Sequence, residues 1–96
     1  MMKHCILVKW NNEIKDKNNT VSEVKRIFNK LLTIDGIHDV QYHCNCVDRS
    51  NRFDLMICVL MDKAILPVYD ASAPHHEWKE KYGKFVENKA IFDFEE

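Results

Sequence analysis

The stretch from Arg52 to Met61 constrains this chain more than any other, because it is apolar on both of the faces a strand would present. Successive strand side chains point to opposite faces. Phe53, Leu55, Ile57, Val59 and Met61 would therefore line one face, and Met56, Cys58 and Leu60 the other. Such a strand needs cover on both sides. At 96 residues the chain has the size of one domain, 1–96. Area scaling gives a folded surface of roughly 5,800 Å², enough for one modest core. A single layer of helices covers one face of the strand. A second copy of the chain is the expected cover for the other, as a two-fold homodimer.

The flanking segments supply the rest of a small α+β fold. Lys3 to Trp10 reads as a first strand, with His4, Ile6, Val8 and Trp10 on one face and Cys5 and Leu7 on the other. Asn11 to Asn19 is polar and reads as a loop with Asn18-Asn19 as its breaker. Thr20-Val21-Ser22-Glu23 has the capping-box pattern. Behind it Val21, Val24, Ile27, Phe28, Leu31 and Leu32 recur at helical spacing, and Asp35-Gly36 supplies a left-handed residue to close the helix. A second strand over Ile37 to Cys46 puts Val40, Tyr42, Cys44 and Cys46 on one face and polar residues on the other. After the third strand, Asp62 starts a short helix that Pro67 makes irregular. Ser72 then caps a helix with Pro74 in its first turn, and Gly83 weakens that helix without ending it. Its stripe is His75, Trp78, Tyr82, Phe85 and Val86, and Lys89 to Glu95 forms a last strand. The order β-α-β-β-α-(α)-β is the ferredoxin-like arrangement, with four antiparallel strands and helices on one face.

Charge and composition exclude several classes of partner. Fourteen basic against fifteen acidic residues leave a net charge of −1, with no global footprint for nucleic acid or an anionic membrane. No apolar run approaches a membrane span, and Met1 to Lys9 lacks the features of a signal peptide, so a cytoplasmic protein is expected. Cys5, Cys44, Cys46 and Cys58 are then reduced thiols. Cys44 and Cys46 share a strand face while His43 points away, which argues for buried thiols over a metal site. His76-Glu77 and the lysines at 79, 81 and 84 read as a solvated helix face.

Four short motifs in register resemble one family. Lys3-His4-Cys5-Ile6-Leu7-Val8-Lys9-Trp10 is similar to the K-H-x-x-x-x-K-F opening of the stress-responsive A/B-barrel (Dabb) family. Phe53-Asp54-Leu55 resembles its Y/F-D-L strand, Tyr69 with Ala73-Pro74-His75 its Y-x-x-H-P-x-H segment, and Ile91-Phe92-Asp93-Phe94 its closing V-F-D-F/Y. The resemblance implies a dimeric α+β barrel, in which two sheets pack face to face. It also implies a pocket between sheet and helices, where cyclase members use a Tyr/His pair for acid/base work. Here Ser72 replaces the first histidine of the Y-x-x-H-P-x-H segment, the proline stands immediately before His75, and the early strand-three position is apolar near Leu55.

His75, at the head of the apolar stripe and in a helix first turn, is the first candidate for a general base, since a helix N-terminus disfavours the protonated ring. Tyr69 would stabilise an oxyanion beside it, and His4 would stand on the facing wall. Ile6, Val8, Phe28, Leu55 and Trp78 are the expected lining for a small apolar carbonyl compound. Each of these residues also has a plain structural explanation, as core packing or a backbone-satisfied histidine. Three functions compete. The first is cofactor-free, metal-free cyclase or lyase chemistry with His75 as base. The second is a non-catalytic ligand-binding or stress-response protein with the same pocket. The third is a haem- or oxygen-dependent monooxygenase, for which residues 62 to 71 lack the tryptophan and the first strand the asparagine that haem-degrading barrels use.

Overall fold

The computed structural model describes all residues, Met1–Glu96. Its strands are β1 (Met2–Trp10), β2 (Ile37–Cys44), β3 (Leu55–Met61) and β4 (Val86–Glu95). Its helices are α1 (Lys17–Asn29), α2 (Leu66–Asp70) and α3 (Ala73–Tyr82). Short 3₁₀ turns follow α1 at Lys30–Thr33, precede α2 at Lys63–Ile65 and follow α3 at Gly83–Phe85. The sheet order is β2-β3-β1-β4 with every neighbouring pair antiparallel, which is the ferredoxin-like topology.

Register assigns the faces. Ile6 stands opposite Ile57 on β3 and Ile91 on β4, so these three share the helix side. There Met2, Ile6, Val8 and Trp10 pack with Leu55, Ile57, Val59 and Met61 against Val24, Ile27, Phe28 and Leu31 of the first helical layer. Trp78 of α3 completes the core with edge-on contacts to Trp10 and Phe28 at 6.0 and 5.4 Å. The open side holds Cys5 and Leu7, then Met56, Cys58 and Leu60, then Phe92 and Phe94. Phe92 is 65% exposed and Phe94 39%. Cys5 faces Cys58 with sulfurs 3.2 Å apart, and burial with the neighbouring thiol pushes the Cys5 pKa up to about 11.

Local chemistry moved several boundaries away from the sequence reading. Helix α1 starts at Lys17, because the Asp16 carboxylate accepts the Asn19 N–H at 3.0 Å and caps it. The capping box at Thr20 does not form. Thr20 lies inside the helix, buried, with its hydroxyl donating back to the Asp16 carbonyl. Both β2 and β3 are shorter than expected, since residues 45–54 form the connection between them. Cys44 and Cys46 are consequently exposed, so the expectation of buried thiols is corrected for this pair. Pro67 sits in the first turn of α2, where its missing N–H costs no helical bond. Asp62 supplies no side-chain cap and pairs with His38 at 2.9 Å. Gly83 does end α3, passing the chain into a 3₁₀ turn and then β4, which begins at Val86 instead of Lys89. Gly36 has the left-handed conformation expected of it, φ +93.

Glu77 of α3 meets Lys30, in the turn after α1, and Lys81 of its own helix at 2.8 Å each, with Arg26 of α1 3.8 Å away. Hydrogen bonds from those two ammonium groups hold its carboxyl at a pKa of about 2.

Two predictions follow from the packing. A Cβ at residue 36 would overlap the Ile65 side chain and occupy a backbone region unfavourable to L-residues, so Gly36→Ala should lower stability by at least ~1 kcal/mol in urea unfolding. Thiol titration of the native protein should count two fast groups, Cys44 and Cys46, with Cys5 and Cys58 appearing only in denaturant. Four fast groups in the native protein would contradict the burial of that pair.

Candidate functional site

A column of three rings runs from the sheet to the last helix. The short helix α2 turns Tyr69 inward, where it is 1% exposed. Its ring lies 5.1 Å from the His4 ring, edge-on, and 4.8 Å from the His75 ring. The α2–α3 turn positions these rings through its capping bonds. The Ser72 hydroxyl donates to the Tyr69 carbonyl at 2.7 Å and accepts the His75 backbone N–H at 3.4 Å. His75 Nδ1 then lies 2.9 Å from the Asp70 carbonyl. A carbonyl oxygen only accepts, so Nδ1 carries the proton and Nε2 keeps its lone pair.

The protonation states suit acid/base work. Burial lowers the His75 pKa below its ordinary value and outweighs the opposing pull of the Asp70 carbonyl bond. The ring is therefore neutral near pH 7. Burial drives the Tyr69 hydroxyl the other way, far above the usual phenol range, so it remains a donor. That hydroxyl is fully buried and has no hydrogen-bond partner. Leaving a polar group unpaired costs about 1–3 kcal/mol, and native proteins carry few such groups.

On the sheet side, His4 Nδ1 lies 2.5 Å from Asp93 Oδ1. An ionised carboxylate accepts, so in the neutral ring this contact puts the proton on Nδ1 and leaves Nε2 as the acceptor. Asp93 was absent from the candidates read along the chain. Only the β1–β4 register, which puts His4 opposite Asp93 across 89 residues, brings the two together. The D of the closing V-F-D-F-like motif was the available signal.

The expected lining is placed differently. Ile6, Val8, Phe28, Leu55 and Trp78 are all in the close-packed core, at most 3% exposed. They pack against one another because the helix-side faces of β1 and β3 point straight into the helical layer. A cavity of about 790 Å³ opens instead between the end of α1 and the α2–α3 turn, with Ile34, Pro67, Val68, Ala71 and Pro74 in its walls. A second, of about 610 Å³, lies at the β2–β3 loop, and a third, of about 310 Å³, beside it. None of the three is lined by His4, Tyr69 or His75, so the shared cavity expected from the sequence is not one of them. No group of three His, Cys, Asp or Glu side chains comes together as a metal site. His76 lies exposed on α3 and Glu77 serves the α1–α3 ion pairs. No helix is long and apolar enough to cross a membrane.

The His75 shift sets a pH dependence. A folded chain with a depressed histidine pKa binds fewer protons than the unfolded chain below about pH 6.5, so stability rises with pH across that window. Stability should be full above pH 6.5 and fall as the pH drops through it. In His75→Gln that part of the fall should disappear, as read by urea midpoints from pH 7.5 to 5.

No family model matches this chain, and no curated protein matches it. Its structure is similar to several solved ones. A dimeric ferredoxin-like protein of unknown function from Thermobifida fusca matches with a TM-score of 0.79 at 15% identity, over 97% of this chain and 88% of that one. A hydroxynitrile lyase from Passiflora edulis matches with a TM-score of 0.75 at 11% identity, over 97% and 90%. A Dabb family protein from Mesorhizobium loti matches with a TM-score of 0.74 at 13% identity, over 99% and 95%. Identities this low speak for the fold alone, and that fold, the ferredoxin-like one, is what this chain shares with them.

Proposed function

We propose that this chain is a Dabb-type homodimer that carries out cofactor-free proton transfer on a small carbonyl-level compound, as a lyase or cyclase, at His75, Tyr69 and His4. The observation that carries the reading is the buried Tyr69 hydroxyl with no partner, set between two histidines. A purely structural site would be better served by phenylalanine, which has the same ring and no orphan donor.

The chemistry is simple to balance. His75 Nε2 takes a proton from an O–H or activated C–H of the substrate, and the electron pair left behind forms or extends a carbonyl or enolate. Tyr69 O–H donates to the oxygen on which charge develops, and His75 returns its proton to the leaving group or product. On a hydroxynitrile, loss of the O–H proton forms the carbonyl as the carbon–carbon bond to cyanide breaks, and the cyanide leaves with a proton. Asp93 positions His4 by holding Nδ1, so the His4 ring presents a fixed acceptor to the same space. Because Tyr69 is sealed, substrate entry requires α2 to open locally. With five residues between two turns it is the shortest of the three helices, the kind of element that opens locally at least cost.

The homodimer reading draws on the open sheet face, where Phe92 and Phe94 are exposed beside half-buried Met56 and Leu60, and a stable interface there would bury upwards of ~1,200 Å² in total. It also rests on solved structures of this fold described as dimeric. A second reading, a ligand-binding protein without chemistry, is favoured by one observation. The cavity of about 790 Å³ has mostly apolar walls and is lined by none of His4, Tyr69 and His75.

Tyr69→Phe separates the readings. It should raise stability by about 1 kcal/mol in urea unfolding, because it removes an orphan hydroxyl. It should also abolish turnover in assays of cyanide release from hydroxynitriles and of cyclisation of linear polycarbonyl compounds, as should His75→Ala. Absence of turnover above the buffer rate in the parent protein, with ligand binding retained, would leave the binding reading. Light scattering at micromolar concentration should give a dimer, and Phe92→Glu should give a monomer.

A further inference from the structure

The end of the sheet remote from His4 carries a second arrangement that the proposed chemistry does not use. The connection between β2 and β3 folds back over the end of β1 and the first turn of α1, enclosing the cavity of about 610 Å³. Lys9, Lys17, Arg49 and Arg52 all line it, against Asp48 and Asp54. One of those carboxylates is already committed. Asp54 Oδ2 accepts the Trp10 N–H at 2.8 Å and Oδ1 accepts from Lys17 Nζ at 2.9 Å. Asp54 therefore holds Lys17 at the cavity rim. Lys9 Nζ is fixed in the same way, donating to the Ser50 carbonyl at 2.6 Å.

The two guanidinium groups differ from the lysines. Arg52 donates only to the neutral Asn51 amide oxygen, at 2.6 Å, and neither arginine is in an ion pair. Their forks of donors are left for a planar or tetrahedral oxyanion, which guanidinium groups bind with two parallel hydrogen bonds. The loop that carries them is itself tied down. Asp54 N donates to the Val8 carbonyl at 2.8 Å, and Asn45 N donates to the Asp54 carbonyl at 2.9 Å. Asn45 closes the loop further by accepting from Val47 N and donating to its carbonyl. Asn18, in the first turn of α1, borders the cavity where the helix field favours negative charge.

We infer that this cavity is a binding site for a small organic anion of the phosphate or carboxylate class, clasped by Arg49 and Arg52 with Lys9 and Lys17 at its rim. A bare oxyanion would fill only part of the space, and the remaining walls are mixed, with Asn18 beside Trp10, Val21 and Val47. The guest therefore carries a further organic portion beyond its charged group. The site stands about 17 Å along β1 from His4, five residues of strand, so it is separate from the ring column. It does not depend on the proton-transfer reading, and either can fail without the other.

The test is an amide ¹H–¹⁵N titration at constant ionic strength with inorganic phosphate, with succinate, and with chloride as control. Saturable shifts confined to residues 44–54 and the first turn of α1 are expected with phosphate, succinate or both, and the stronger of the two identifies the anionic group. The double variant Arg49→Gln/Arg52→Gln should weaken that binding by at least about tenfold, near what one charge-assisted hydrogen bond contributes. It should keep the parent's thermal midpoint. Lys63→Gln/Lys79→Gln removes the same charge elsewhere on the surface and should bind as the parent does. Non-saturable shifts, an equal response to chloride, or equal weakening by both double variants would overturn the site.

Discussion

Everything in this fold depends on the pairing of β1 with β3, the two inner strands of the sheet. Their shared register puts Ile6, Val8, Leu55, Ile57 and Val59 on one side and Cys5, Leu7, Met56, Cys58 and Leu60 on the other. Burying one such aliphatic side chain stabilises the chain by roughly 1.5–3 kcal/mol, so the helix side alone accounts for the order of the core. The open side is left with apolar surface that no element of the chain reaches. The first of these strands also carries residues of both proposed sites. His4 stands at the start of β1, while Lys9 and Trp10 at its end anchor the β2–β3 loop.

In the His4–Tyr69–His75 column a buried imidazole, a buried phenol and a half-buried second imidazole meet ring to ring. Two of the three are satisfied, His4 by Asp93 and His75 by the Asp70 carbonyl. The phenol is not. Those two bonds also decide which ring nitrogen keeps a lone pair, so the same contacts that make burial tolerable prepare both histidines as acceptors.

Much of this was legible along the chain, and the misses share a cause. Helical spacing from Val21 onward identified α1, and alternation identified the two-faced third strand. Ser72 with Pro74 marked the start of α3, where the cap forms. Errors fell where two local signals of similar strength compete. Asp16 and Thr20 can both cap α1, and Asp16 prevails because its carboxylate reaches the Asn19 N–H while Thr20 is drawn into the core. Cys44 and Cys46 have strand spacing, but β2 ends at Cys44 once β3 no longer runs beside it.

Sequence by itself determined which residues are apolar, with what period, and where the chain must turn, because those follow from local sterics and side-chain chemistry. It therefore determined the order of elements and the presence of a second face needing cover. Tertiary structure decided which residues meet. The His4–Asp93 contact spans 89 positions and exists only through the β1–β4 register. Ile6, Val8, Phe28, Leu55 and Trp78 became core instead of lining because the helical layer closes directly onto the sheet, and larger spaces lie at the α2–α3 turn and around the β2–β3 loop. Periodicity says which way a side chain faces. How closely the opposite layer approaches depends on the summed shapes of residues far apart in the chain, and no local pattern encodes that distance.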